Sequence, residues 1–573
     1  MTQRRTCAGD TLSTWLTVIF SLAAVVAVGF GAYLACGRED TEVLESPLMF
    51  SVGRQLVYGP WGLYGPFGAR NPLVLIHAPV FYHLAALLAW PIYRAGVDPV
   101  WAALSAGRAI SFVGLALTGA AAYRLARIDG TRPRAGLWAT LLIAASPVLG
   151  AMPYAVRPDM LGIALQTTGT LLVILTWQLP RSTGAHLPAA FAAFGLAACI
   201  KQQFVATPAV SVLLLVSASA AGRLPFKFIV RGLATGLAIM LFVYGTEELA
   251  TGGRMSLAVF QAAATTSRIH PGTWGRSLIV SFSILGKNSG LVALLVAAGL
   301  AGIRGRHAIV RRSLDAIGLL VIVMFVVRSS PVPVTFDQPL WDDVVPTINV
   351  AIAVFFLIPA CYLLSRTILV AGTVDHALLL YLAAESLVVV ILARASTGAW
   401  VNYGIQAVIF ASILTARALD RACNFVPSTR ALLSFVLASL AVICSVILDA
   451  TTTASDRRYD QAALARIFEN YRRPTSEFFF LGRPGDNRLY GQKSLVYDDW
   501  LYPVFESIHL AEPRSVWLTR ALADDNIRYV VTTSESTTIE GLGRSFRELG
   551  YHRGIKVGTF YVWERSGFLS PSR

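Results

Sequence analysis

Along the first 450 residues, apolar runs of 15–25 positions alternate with short polar joints, and the pattern then stops. A membrane-crossing helix needs roughly 20 apolar residues. Fourteen segments come near that length: 12–36, 73–93, 103–126, 135–152, 160–178, 186–200, 203–221, 229–247, 278–302, 314–328, 347–364, 376–393, 400–418 and 431–449. The second differs from the others. Its text, LVLIHAPVFYHLAALLAWPIY, carries His77, Pro79, His83 and Pro91, which suits a broken or interfacial element packed on protein. The pattern therefore predicts an all-α polytopic membrane protein with about 13 transmembrane helices plus a juxtamembrane segment.

Arginine placement orients these spans. The joints 124–134, 222–231, 304–312 and 416–423 are the basic ones, and basic joints stay cytoplasmic. The first run follows a basic start, is too long for a signal-peptide core and ends without a small-x-small cleavage site, so it reads as a retained span with its N-terminus inside. If 73–93 does not cross, all four basic joints fall inside, and 36–46, 155–160, 248–277 and 336–343 share the external face. Residues 1–450 then form the membrane domain. Residues 451–573 form a small extracytoplasmic α/β domain. In that tail, SVWLTRALADDNIRYVVTT reads as helix then strand, and GRSFRELGYHRGIKVGTFYVWER repeats that order and adds a strand.

Composition agrees with this picture. The chain is 55% apolar and 14% charged, far below the charge of soluble domains. The net charge of +15, with only five lysines among 48 basic residues, reads as arginine flanking spans beside anionic lipid, with no nucleic-acid partner. The six cysteines show no metal-ligand spacing, and none lies after 450. There is no Walker A sequence, no strand followed by GxGxxG and no HExxH, which argues against nucleotide-driven pumps and zinc proteases.

Chemistry-bearing residues concentrate on the external joints. Glu39, Asp40, Glu42 and Glu45 fall within seven residues after the first run. They form either a solvated acidic loop or a source of a general base at the bilayer surface. Asp159 follows Arg157 across Pro158. It caps the next helix through the dipole, or serves as a second acid with Arg157 on a phosphate. Lys201 with Gln202 and Gln203 reads either as a lysine reaching the interface or as a phosphate and sugar contact. Asn402 and Tyr403 stand at the outer end of a late span.

The order of these features resembles the GT-C superfamily of integral-membrane glycosyltransferases, in its bacterial, dolichyl-phosphate-mannose-protein-mannosyltransferase-like branch. The resemblance runs over roughly 10–450. It rests on one span with an acidic loop, then Gly59, Trp61, Leu63, Tyr64, His77, Pro79 and Tyr82, then SAGRAISFVGLAL leading to RPDML, then KQQF and NYG. It implies a donor sugar on a polyprenyl phosphate, transferred outside the cytoplasmic (inner) membrane to an acceptor lipid, glycan or protein. The implied catalytic carboxylates are Asp40, Glu42 or Glu45, with Asp159 as the second acid. Spacing from Gly59 favours Glu45, and residue type favours Asp40. His77, Tyr82, Arg157, Lys201, Gln202, Asn402 and Tyr403 are the implied substrate contacts. Branches differ in using a divalent metal at the acids, so a metal stays open. A lipid or glycan transporter, and a non-catalytic scaffold of an envelope assembly, are the alternatives. No internal repeat supports the transporter.

Overall fold

The computed structural model describes residues 2–36, 45–64, 77–150, 152–178, 186–269, 271–288, 373–395 and 401–423, parts of 478–566, and a few single positions between. Asp40 and Glu42, the predicted spans at 314–328 and 347–364, and the loop 336–343 lie outside the described residues. The helices are α1 (Thr2–Ala35), α2 (Glu45–Tyr58), α3 (Val80–Arg94), α4 (Pro99–Ala126), α5 (Pro133–Ala144), α6 (Asp159–Gln178), α7 (His186–Ala198), α8 (Ala206–Ala220) and α9 (Phe226–Thr251). They continue with α10 (Arg254–Ser256), α11 (Ala262–Ile269), α12 (Trp274–Lys287), α13 (Thr373–Ala395), α14 (Ile405–Cys423) and α15 (Arg514–Ala523).

Among the described residues, five segments are long and apolar enough to cross a membrane: Thr11–Ala35, Trp101–Ala126, Asp159–Gln178, Phe226–Thr251 and Val374–Ala395. The protein is a helical membrane protein. At 15 residues, α3 spans about 22 Å, short of the ~30 Å hydrocarbon layer, and Pro91 interrupts it. Several expected spans are shorter in the structure. The run 135–152 yields a 12-residue α5, because Pro147, Gly150 and Pro153 prevent the helix from continuing. The stretch 248–277, expected as a loop, is mostly helical: α10, a π turn (Leu257–Gln261) and α11.

Close helix approaches depend on absent side chains. A Cβ on Gly195 of α7 would stand 2.6 Å from the Gly236 carbonyl oxygen of α9, so the two backbones touch, as small residues allow inside membranes. The turn 199–205 between α7 and α8 is held by Tyr244 of α9, whose Oη donates to the Ala198 carbonyl at 2.7 Å. Seven residues of α9 continue beyond Tyr244, so this turn lies about 10 Å below that helix end.

The C-terminal strands form a mixed sheet in the order β2 (Leu495–Tyr497), β1 (Phe478–Leu481), β3 (Tyr529–Thr532), β7 (Phe560–Arg565), β6 (Tyr551–Val557). Strand alternation divides its side chains between two faces. Phe479, Val530 and Trp563 pack with Leu518 and Leu522 of α15. Phe478, Val531 and Val562 join Leu48, Tyr64, Phe81 and Met255 of the helical part. The helix expected within GRSFRELG is absent. In its place β5 (Arg544–Ser545) pairs with β4 (Thr538–Ile539), and a turn leads to Gly550 at φ +80°. So short a run does not repay helix nucleation, and Phe546 instead stacks on Trp563 at 4.4 Å.

Candidate functional site

At the end of the bundle capped by the sheet, three backbone breaks face one another. They are the corner 155–159 before α6, the recessed turn 199–205, and the 3-10 turn Val401–Gly404 before α14. Asp159 opens α6, where a carboxylate favours the helix dipole, and it is 1% exposed. Its Oδ1 accepts a hydrogen bond from Lys201 Nζ at 2.6 Å and a longer one from Asn402 Nδ2 at 3.4 Å. Its Oδ2 lies 3.1 Å from Arg157 Nε. Lys201 Nζ also sits over the Tyr403 ring, 5.0 Å from its centroid. Asp159 is both the helix cap and part of the charged cluster.

The corner is held from beneath. Ser111 Oγ of α4 donates to the Arg157 carbonyl at 3.0 Å. Glu45 Oε1 accepts from the Val156 amide at 2.8 Å. Both Glu45 oxygens accept from Arg108, from Nε and Nη2 at 2.9 Å each, and Arg108 Nη1 donates to the Ala35 carbonyl at 2.8 Å. One buried ion pair thus joins the end of α1, the start of α2, α4 and the corner.

His77 stands before α3, its carbonyl accepting from Tyr64 Oη at 2.5 Å. Burial, then the nearby Lys201 and Arg157 charges, lower its pKa to about 3, with Asp159 opposing. The imidazole is therefore neutral across the physiological range. Tyr82 is buried beside Arg157 and Asp159, and its Oη has no hydrogen-bond partner.

The structure thus gathers His77, Tyr82, Arg157, Asp159, Lys201, Asn402 and Tyr403. Gln202 turns away, its Nε2 donating to the Val259 carbonyl in the π turn at 3.3 Å. Glu45 adjoins the cluster through the Val156 amide. Two cations on one carboxylate leave the cluster net positive, which suits an anion better than a divalent cation. Among the described residues, no group of three or more His, Cys, Asp or Glu could hold a metal.

Four residues escaped sequence reasoning as site candidates. A second network joins His83 to Gln55 and Glu247: His83 Nδ1 meets Gln55 Oε1 at 2.6 Å, and Nε2 contacts the Glu247 carboxylate. Gln55 Nε2 donates to the Tyr82 carbonyl at 3.1 Å, steadying the start of α3. Glu385 of α13 is buried and accepts from Thr207 Oγ1 at 2.5 Å. A lone glutamate within LLLYLAAESLVVVILA was the available signal, since an ionisable group inside a span marks function by default.

No family model and no curated protein matches the sequence. Solved structures do. ArnT from Cupriavidus metallidurans, crystallised with undecaprenyl phosphate, matches at TM-score 0.57 with 12% identity, over 98% of this chain and all of that one. The apo form of ArnT matches at 0.48 with 14% identity, over 98% and 99%. The oligosaccharyltransferase AglB from Archaeoglobus fulgidus, with an inhibitory peptide and a dolichol-phosphate, matches at 0.47 with 14% identity, over 97% and 75%. The chain shares the fold of that undecaprenyl-phosphate-bound ArnT structure over nearly its whole length.

Proposed function

We propose that this chain transfers a sugar from a polyprenyl-phosphate carrier to an acceptor lipid, glycan or protein on the extracytoplasmic face of the inner membrane. The observation that carries this reading is the pair of cations, Arg157 and Lys201, held on one buried carboxylate in a recess of the bundle end. Two fixed cations stabilise a phosphate as charge develops on it, and fixed donors in a water-poor site are most effective there. Residues 1–450 are the membrane domain in this reading. Residues 451–573 are the external domain, and the N-terminus is cytoplasmic.

In the reaction, an acceptor hydroxyl or amine attacks the anomeric carbon. The carbon–oxygen bond to the phosphate breaks, and polyprenyl phosphate leaves with the bonding pair. Arg157 and Lys201 take up that charge, and Asp159 sets their positions. Neutral His77 donates to, or accepts from, phosphate or acceptor without adding charge. The acceptor proton goes to a carboxylate of the first external loop, Asp40 or Glu42. Glu45 is engaged by Arg108 and the Val156 amide, so its role here is to hold the corner.

The test is release of free polyprenyl phosphate from a labelled polyprenyl-phosphate sugar by the purified protein in nanodiscs. Release that falls about 10–100-fold or more on replacing Lys201 or Arg157 supports the reading. Unchanged release in both variants overturns it, and movement of the intact sugar-lipid across the bilayer without release favours a transporter.

A further inference from the structure

Asp159 also borders a second environment. A small cavity there is lined by Asp159, Gln203, Glu385, Asn402, Tyr403 and Gln406. It has room for about one water molecule or one group of that size. We propose that it is a specificity pocket for a single hydroxyl of the transferred sugar, with Glu385 and Gln406 as its acceptors. This rests on the glycosyl-transfer reading and adds a substrate preference to it.

Hydrogen-bond supply decides what the cavity can hold. Gln406 is 3% exposed. Its Nε2 lies 3.5 Å from Thr167 Oγ1, and its Oε1 has no hydrogen-bond partner. Glu385, 7% exposed, takes the Thr207 hydroxyl on Oε1 and presents a second carboxyl oxygen. The cavity is therefore rich in acceptors. A buried acceptor left open costs about 1–3 kcal/mol, and a hydroxyl donor relieves that cost. A phosphate beside two carboxyl groups does not, and neither does a methyl group. Asp159 thus stands between cations that suit the phosphate and acceptors that suit the sugar.

Helix packing alone does not account for Glu385. The α8–α13 contact already has a polar pin one turn away, where Ser211 Oγ and Tyr381 Oη lie 2.8 Å apart. A carboxyl group among apolar neighbours is costly and redundant for that purpose.

The experiment uses the full chain in nanodiscs with polyprenyl-phosphate mannose, glucose, galactose, arabinose and xylose, and then monodeoxy analogues of whichever donor is turned over. The unaltered protein is expected to disfavour one deoxy position by about 100-fold or more in kcat/KM. Glu385→Gln and Gln406→Leu are expected to cut that ratio at least about tenfold at that position alone. Melting temperature and elution volume confirm that both variants fold, and Ser211→Ala, at the α8–α13 contact one turn away, serves as a packing control that leaves the ratio in place. Equal turnover of all deoxy analogues by the unaltered protein overturns the proposal. So do ratios unchanged in both folded variants, which identify a water-filled structural cavity only. No turnover of any donor by the unaltered protein removes the glycosyl-transfer reading and this one with it.

Discussion

The two ends of the helical bundle carry similar charges and use them differently. At the end away from the sheet, Asp375 of α13 is fully buried, with Oδ1 on Arg417 Nε and Oδ2 on Arg421 Nη1, both at 2.6 Å. Arg417 Nη1 also donates to the carbonyls of Ala126 and Ile128 at 3.1 and 2.7 Å. Asp420 accepts from Arg134 Nε at 2.6 Å and from the Arg132 amide at 3.3 Å. Every oxygen of these two carboxylates is engaged, and the cations tie helix ends to the joint 124–134. At the sheet-capped end, Tyr82 Oη, Gln406 Oε1 and Glu247 Oε2 accept or donate no hydrogen bond. The first network is closed and serves the architecture. The second has open positions at buried atoms, which is costly unless something else fills them.

This contrast makes opposite predictions for the two ends. Asp375→Ala leaves Arg417 buried without its main partner and is expected to cost about 3–5 kcal/mol of stability, read as a large fall in melting temperature and in yield. Lys201→Met is expected to act the other way. Arg157 still faces Asp159, so melting changes little, while loss of a charged contact to the leaving phosphate costs about 1.5–3 kcal/mol, or roughly 10–100-fold in kcat/KM. A Lys201→Met protein that melts early with normal turnover per folded molecule would abolish the distinction between the ends.

Glu45 sharpens the comparison because it belongs to both kinds of network. Sequence spacing marks it as the candidate base, yet its oxygens bind Arg108 and the Val156 amide. Glu45→Gln is expected to lower stability by about 1.5 kcal/mol and to reduce kcat by disturbing the corner, while the acid limb of the pH–rate profile persists. Disappearance of that limb, with melting unchanged, would restore Glu45 as the base.

Much of this was legible in the chain because it depends on local pattern. Two prolines and two histidines within LVLIHAPVFYHLAALLAWPIY read as a broken or interfacial element, and its described part is a 15-residue α3 interrupted by Pro91. Arg157 and Asp159 stood out as charges at a helix start. Pairing over distance was not legible. Lys201 meets Asp159 across 42 positions and Glu45 meets Arg108 across 63, and neither separation leaves a periodic trace. A buried charge requires a partner, so the lone Arg108 in SAGRAISF, together with the acidic cluster before it, was a signal that a search for complementary charges would have used. Glu385 shows the same omission inside a single apolar run. The helix expected at GRSFRELG failed for another reason: its apolar positions suit a turn that feeds Phe546 into the sheet core.

The smallest expected effect concerns His77 and comes from its titration. Its pKa in the folded protein is about 3, below the ~6.5 of an unperturbed histidine. Between those values the unfolded chain binds the proton and the folded chain does not, so stability falls as pH falls. The contribution is fully present above pH ~6.5 and is lost progressively down to about pH 3. At pH 5.5 one unit of unfolded-state titration corresponds to about 1 kcal/mol after allowing for the partial exposure of the ring. His77→Asn, which keeps a polar side chain without a titrating group, is expected to flatten the melting-temperature difference between pH 7.5 and pH 5.5 by that amount. Asp375→Ala, at the closed end, should leave the same difference intact. If the slope survives in His77→Asn, protons are being taken up elsewhere, and the neutral imidazole is not the group that makes the open end acid-sensitive.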